Sequence, residues 1–153
     1  MTLIQHNRPI EILLVEDSEA DIFLTKEAFQ EAKIANRLHI ARDGEQALAI
    51  LKKETPYGNH VTPDLILLDI NLPKMSGHEV LQEIKNNGLL KRIPVIALTG
   101  SDAERDIIAM YDSQIASYIT KPVEMEKFTE VVHAIEDFWF SVVVLPTMPK
   151  DVS

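Results

Sequence analysis

The 153-residue chain has no cysteine, which rules out a disulfide framework and any thiolate ligand or nucleophile. It has no surplus of positive charge either. Fifteen Lys+Arg against 24 Asp+Glu leave a net charge of -9, which repels nucleic-acid phosphates and anionic lipid, so no nucleic acid and no membrane is expected as a partner. No segment approaches the roughly 20 apolar residues of a membrane span. The N-terminal MTLIQHNRPIE also lacks the apolar core of a secretion signal. These absences lead to the expectation of a soluble, cytoplasmic protein. The lack of cysteine permits that address without proving it.

With 46% hydrophobic and 25% charged residues, the chain has the make-up of one globular domain with a real core. Its organising stretch is Asp64 to Pro73, DLILLDINLP, where an unbroken aliphatic run meets Asp69 and Pro73 closes it. A run without polar alternation suits a parallel strand covered on both faces, and a proline cannot donate to the ladder. Ile10 to Val15 is a second such run, ending in Glu16-Asp17-Ser18. Arg37 to Ala41, Ile93 to Leu98 and Ala116 to Ile119 read as three more strands, the last two delivering Thr99-Gly100-Ser101 and Thr120-Lys121-Pro122. Helical spacing of apolar residues predicts helices over Glu19 to Lys33, from Asp43-Gly44 through Leu51, over Gly77 to Asn87, Asp102 to Tyr111 and Met125 to Phe138. Thr55 to Pro63, with two prolines and a glycine, reads as a long loop. Five strands alternating with five helices imply right-handed crossovers, hence an α/β fold with a parallel sheet between two helical layers.

A parallel sheet sends the C-terminal ends of its strands to one edge, so Glu16, Asp17, Asp69, Thr99 and Lys121 converge there, and that edge is where ligands bind in such folds. Three clustered carboxylates need a compensating cation, and a hard, oxygen-liganded Mg²⁺ meets that need. With Lys121 as a second positive charge, the arrangement suits stabilisation of a phosphoryl group in transfer. Asp69 is then the nucleophile and the Thr99 hydroxyl a donor to a phosphoryl oxygen.

ILLVEDS, LILLDINLPKMSG, VIALTGS and YITKP, in this order and spacing from about Glu11 to Phe138, resemble the receiver domains of two-component response regulators. The resemblance implies the flavodoxin-like doubly wound sheet of strand order 2-1-3-4-5, with Asp69 accepting a phosphoryl group from a histidine kinase. It further implies Mg²⁺ bound by Asp17, Asp69 and the backbone carbonyl of Asn71, with Glu16 acting through water. Lys121 would contact the phosphoryl group, Thr99 and Tyr118 would be the switch pair, and the peptide before Pro122 would be cis. Apart from phosphotransfer to itself and autodephosphorylation, no enzymatic activity is implied. Three features depart from the family pattern: Ser76 where an Asp is frequent, Gln114-Ile115-Ala116 where Gly-Ala is usual, and the length of the Thr55 to Pro63 loop. That loop, KRIPVIALT and FWFSVVVLP are similar to single-domain regulators that partner cyanobacterial phytochromes, implying a phytochrome-like sensor histidine kinase as partner.

Competing readings make different demands. A phosphohydrolase using an aspartyl phosphate needs a second acid two positions after its nucleophile, where this chain has Asn71, and a degenerate scaffold would have lost Asp69 or Lys121. The five histidines, His6, His39, His60, His78 and His133, share no ligand spacing and read as surface or half-buried residues. The boundaries expected are an arm over 1–10, a receiver domain over 11–139 and a tail over 140–153. Fifteen residues after Phe138 are too few for a DNA-binding output domain, so output is expected through protein contact or through passage of the phosphoryl group to a histidine phosphotransfer protein. The consecutive Phe138-Trp139-Phe140 and the apolar Val142 to Leu145 suggest a homodimer made through the last helix, the preceding strand end and the tail, the alternative being a tail that folds back over its own subunit.

Overall fold

Ile10–Val15 (β1), Leu65–Asp69 (β3) and Val95–Thr99 (β4) are buried along their whole length, as unbroken aliphatic runs require when helices cover both faces. A computed structural model describes residues 8–32, 34–101, 103–105 and 115–134 of the chain. Asn36–Ala41 (β2) and Ser117–Thr120 (β5) are the edge strands, only partly buried, and all four pairings in the order β2-β1-β3-β4-β5 are parallel. This is the flavodoxin-like doubly wound sheet.

Four helices lie against it among the described residues. Glu19–Gln30 (α1) starts on Ser18, whose side chain accepts the Asp21 N–H, and Gly44–Leu51 (α2) starts on Asp43 in the same way. Gly77–Lys85 (α3) begins with a complete capping box between Ser76 and Glu79. Met125–Ala134 (α4) follows β5. The helix expected from Asp102 to Tyr111 is described only at 103–105, which is helical; its remainder and the end of the helix expected to reach Phe138 lie outside the described residues.

Strand alternation sorts the core into two layers. Ile12, Leu14, Leu65, Leu67, Ile96 and Leu98 pack with Ile22 and Phe29 of α1 and Phe128 and Val132 of α4, and the rings of Phe29 and Phe128 meet edge to face at 4.9 Å. Leu13, Val15, Ile66, Leu68 and Val95 pack with α2 and α3 on the other side. Each fully buried aliphatic contributes about 1.5–3 kcal/mol, and that surplus can support polar groups buried at the sheet's edge.

Some boundaries differ from expectation for local reasons. β4 starts at Val95, because Pro94 cannot donate, and runs to Thr99. α1 ends at Gln30, with Asn36 Nδ2 donating to the Phe29 and Ile34 carbonyls and turning the chain into β2. The long loop is held down on α2 and β2: the Gln46 side chain donates to the Tyr57 hydroxyl at 3.2 Å, and the His60 ring meets that of His39 at 4.9 Å. Two histidines with no spacing relation in sequence thus become neighbours.

Candidate functional site

Glu16 is in phase with Ile12 and Leu14, Asp69 with Leu65 and Leu67, and Lys121 with Ile119, so alternation carries all three side chains to the α1 face of the sheet. They meet there. Carboxylate oxygens of Glu16, Asp17 and Asp69 lie within 4.8 Å of one another, with Asp17 exposed and the other two at 1% and 2% exposure. Lys121 Nζ donates to Asp21 Oδ2 at 3.0 Å and to Glu16 Oε1 and Asp69 Oδ2 at 3.3 Å.

Backbone groups complete the cradle. The Ser18 N–H donates to Glu16 Oε2 at 3.2 Å, the Asn71 N–H to Asp69 Oδ1 at 3.0 Å, and the Lys121 N–H to the Thr99 carbonyl at 2.7 Å. Gly77 brings α3 close behind Asp69: a Cβ there would stand 2.7 Å from Ile70 Cα and 3.0 Å from the Asp69 carbonyl oxygen, displacing the strand end.

One ammonium does not neutralise this many acids. Burial, a hydrogen bond with Asp69 and the Asp69 charge together push the Glu16 carboxyl up to about 7, against an ordinary 4.5. Burial would lower the Lys121 ammonium, yet the hydrogen bond to Asp21 and the charges of Asp69 and Glu16 outweigh it and hold Lys121 above its ordinary range. Two buried carboxylates, Glu16 and Asp69, beside the exposed Asp17 make an oxygen-only donor set that fits a hard divalent cation. Glu16, Asp17 and Asp69 could bind such a metal.

The remaining sequence-derived residues fall around this centre. Thr99 is fully buried, in phase with Val95 on the opposite face from Leu98, and its Oγ1 has no hydrogen-bond partner among the described residues. Tyr118 is half-buried on β5, with the Arg105 guanidinium 5.8 Å from its ring centroid. Asn71 is exposed, and the Lys121–Pro122 peptide is cis. The aromatic and aliphatic tail proposed for dimerisation lies outside the described residues.

Two residues were missed in the sequence. Asp21, the acid with the shortest bond to Lys121, stands one helical turn after Asp17 and three residues after the Ser18 cap, a spacing that could have pointed to it. Glu104 accepts from both Gly100 and Asn71, and nothing local pairs it with a residue 33 positions away.

Residues 12–133 match the response regulator receiver domain family. The response regulator Rcp1 of Synechocystis sp. is 47% identical over 142 residues, which is 93% of this chain and 97% of that protein. Its solved Mn²⁺-bound form superposes with a TM-score of 0.68 at 47% identity, covering 91% of this chain and 100% of that one. The phosphorylated cyanobacterial phytochrome response regulator RcpA gives 0.70 at 45% identity over 92% and 100% of the two chains. The bacteriophytochrome response regulator AtBRR gives 0.80 at 38% identity over 86% and 96%. No helix among the described residues is long and apolar enough to cross a membrane.

Proposed function

Because this chain belongs to the response regulator receiver domain family, and so to two-component signalling, we propose that Asp69 is its phospho-acceptor and a phytochrome-type histidine kinase its donor. The observation that carries the reading is the contact of buried Asp69 with Lys121 beside Glu16 and Asp17. An Asp69 oxygen attacks phosphorus in line; the P–N bond to the donor imidazole breaks, and its electron pair stays on that nitrogen. The product is an acyl phosphate on Asp69.

Each residue has a part in that step. Asp17, Asp69 and the Asn71 carbonyl would hold Mg²⁺, with Glu16 acting through water, and the ion would supply positive charge to offset that of the phosphoryl oxygens. Mn²⁺ in Rcp1 supports a divalent ion here. Lys121 moves from its acid partners toward a phosphoryl oxygen, and the unpartnered Thr99 hydroxyl donates to another. Tyr118 follows Thr99, which passes the change to the β5 face. Hydrolysis of the acyl phosphate resets the protein, so the only catalysis is on itself.

The receiver unit spans 11–139, with an arm over 1–10 and a tail over 140–153 that joins two copies; its place is the cytoplasm. The test is phosphotransfer with Mg²⁺ from a small phosphodonor and from a phytochrome-type kinase. Transfer to wild type but not to Asp69→Asn supports the reading, and equal labelling of both overturns it. Transfer onward to a histidine phosphotransfer protein would make the chain a relay intermediate.

A further inference from the structure

Two places in this chain carry the same local signature, Ser-x-x-Glu: Ser76 to Glu79 at the start of α3, and Ser101 to Glu104 at the helical residues 103–105. At α3 the box closes on itself. Ser76 Oγ accepts the Glu79 N–H at 3.1 Å and Glu79 Oε1 accepts the Ser76 N–H at 2.9 Å. At the second place Ser101 Oγ accepts the Glu104 N–H at 3.1 Å, but the Glu104 carboxylate reaches past its own cap. Its Oε1 accepts the Gly100 N–H at 2.6 Å, and its Oε2 accepts a side-chain N–H of Asn71 at 2.5 Å. A carboxylate only accepts, so the Asn71 amide must present its NH₂ there.

These contacts join the two loops on which the site depends. Gly100 follows Thr99, and Asn71 donates its backbone N–H to Asp69 itself. One carboxylate therefore ties the end of β3 to the end of β4. An independent observation lies beside it: the Thr99 hydroxyl is fully buried without a partner among the described residues, as if the loop were held short of the arrangement that would satisfy it.

We infer that Glu104 is a positioning residue, a clasp that holds the two loops together while Asp69 is unmodified and is displaced when Asp69 carries a phosphoryl group. The inference rests on Asp69 being the phospho-acceptor. A phosphoryl group brings up to about two negative charges and three acceptor oxygens beside the donors that Glu104 holds, so it competes for those donors and repels the carboxylate. Release of Gly100 then frees Thr99 to turn. The clasp is thus a standing opponent of the phosphorylated state, and weakening it should favour that state.

The test uses the full chain with Mg²⁺ and beryllofluoride, a non-covalent mimic of the phosphoryl group. Glu104→Gln keeps the shape and an acceptor for Gly100 but loses the charge; Glu104→Ala loses both; Ser101→Ala removes the cap and keeps the clasp. Both Glu104 variants should bind beryllofluoride about five- to tenfold more tightly, the scale of one like-charge contact at intermediate dielectric, while Mg²⁺ affinity stays within about twofold. Ser101→Ala should leave beryllofluoride affinity within about twofold. Unchanged affinity in Glu104→Gln, or an equal shift in Ser101→Ala, overturns the clasp and leaves only a helix cap. Glu104→Gln is nearly isosteric, so it reports even if Glu104→Ala folds poorly. Failure of the underlying reading looks different, since wild type would then bind no beryllofluoride or bind it equally in Asp69→Asn.

Discussion

The two edges of the sheet both carry acids, and they handle them in opposite ways. At the N-terminal edge, buried Glu11 accepts from Arg37 at 3.1 Å and pairs with His39 Nε2 at 2.7 Å, while Asp64 takes both prongs of Arg8 and the Glu11 N–H. Two acids face two arginines and a histidine. At the C-terminal edge Glu16, Asp21 and Asp69 share Lys121, Asp17 stands beside them, and the nearby Thr99 hydroxyl has no partner among the described residues. The first edge is satisfied by the chain itself, so it can only stabilise. The second is short of positive charge and of a hydrogen-bond acceptor, and that shortage is what a divalent cation and a phosphoryl group would fill.

The largest effect that sharpens this contrast is Asp69→Asn. It should abolish phosphotransfer, and in chelator it should raise thermal stability at pH 7.5 by about 1–2 kcal/mol, because one of two repelling buried carboxylates is gone. Labelling and a thermal scan measure both, and a destabilised variant would mean the acids are balanced after all.

Next comes pH. Glu16 is pushed up to about 7 in the fold against 4.5 ordinarily, so between these values the folded protein keeps a proton that the unfolded chain has released. Stability of the metal-free protein should therefore fall as pH rises from about 4.5 to 7, by up to about 3 kcal/mol at about 1.4 kcal/mol per unit. Saturating Mg²⁺ or Glu16→Gln should flatten that decline in denaturant titrations. A decline that survives both would place its source elsewhere.

At the balanced edge, Glu11→Gln should cost about 1–3 kcal/mol by leaving Arg37 and His39 under-paired, yet leave Mg²⁺ affinity unchanged. Chemical denaturation beside metal titration separates the two edges, and coupled loss of both would show that they are not independent. The smallest effect is Arg8→Ala. Its ion pair with Asp64 is nearly half exposed on the arginine side, so less than about 1 kcal/mol is expected, shrinking further in salt.

By itself the sequence determined the sheet and its acids. Unbroken aliphatic runs ending in Glu16, Asp69 and Thr99 suit buried strands, and the alternation of strand and helix implies a parallel sheet in which those ends share an edge, while the strand order came from the family resemblance. These are local signals, and local physics suffices to read them. Tertiary structure alone decided which partners the charges took: Asp21 on Lys121, Arg37 and His39 on Glu11, His60 on His39, Glu104 on Asn71. Such pairs lie 21 to 100 positions apart, and propensity and periodicity carry no information at that range. The two Ser-x-x-Glu boxes show the limit most sharply. Their signatures are the same, but Glu79 closes on its own cap, whereas Glu104 stands where the fold brings the ends of β3 and β4 together.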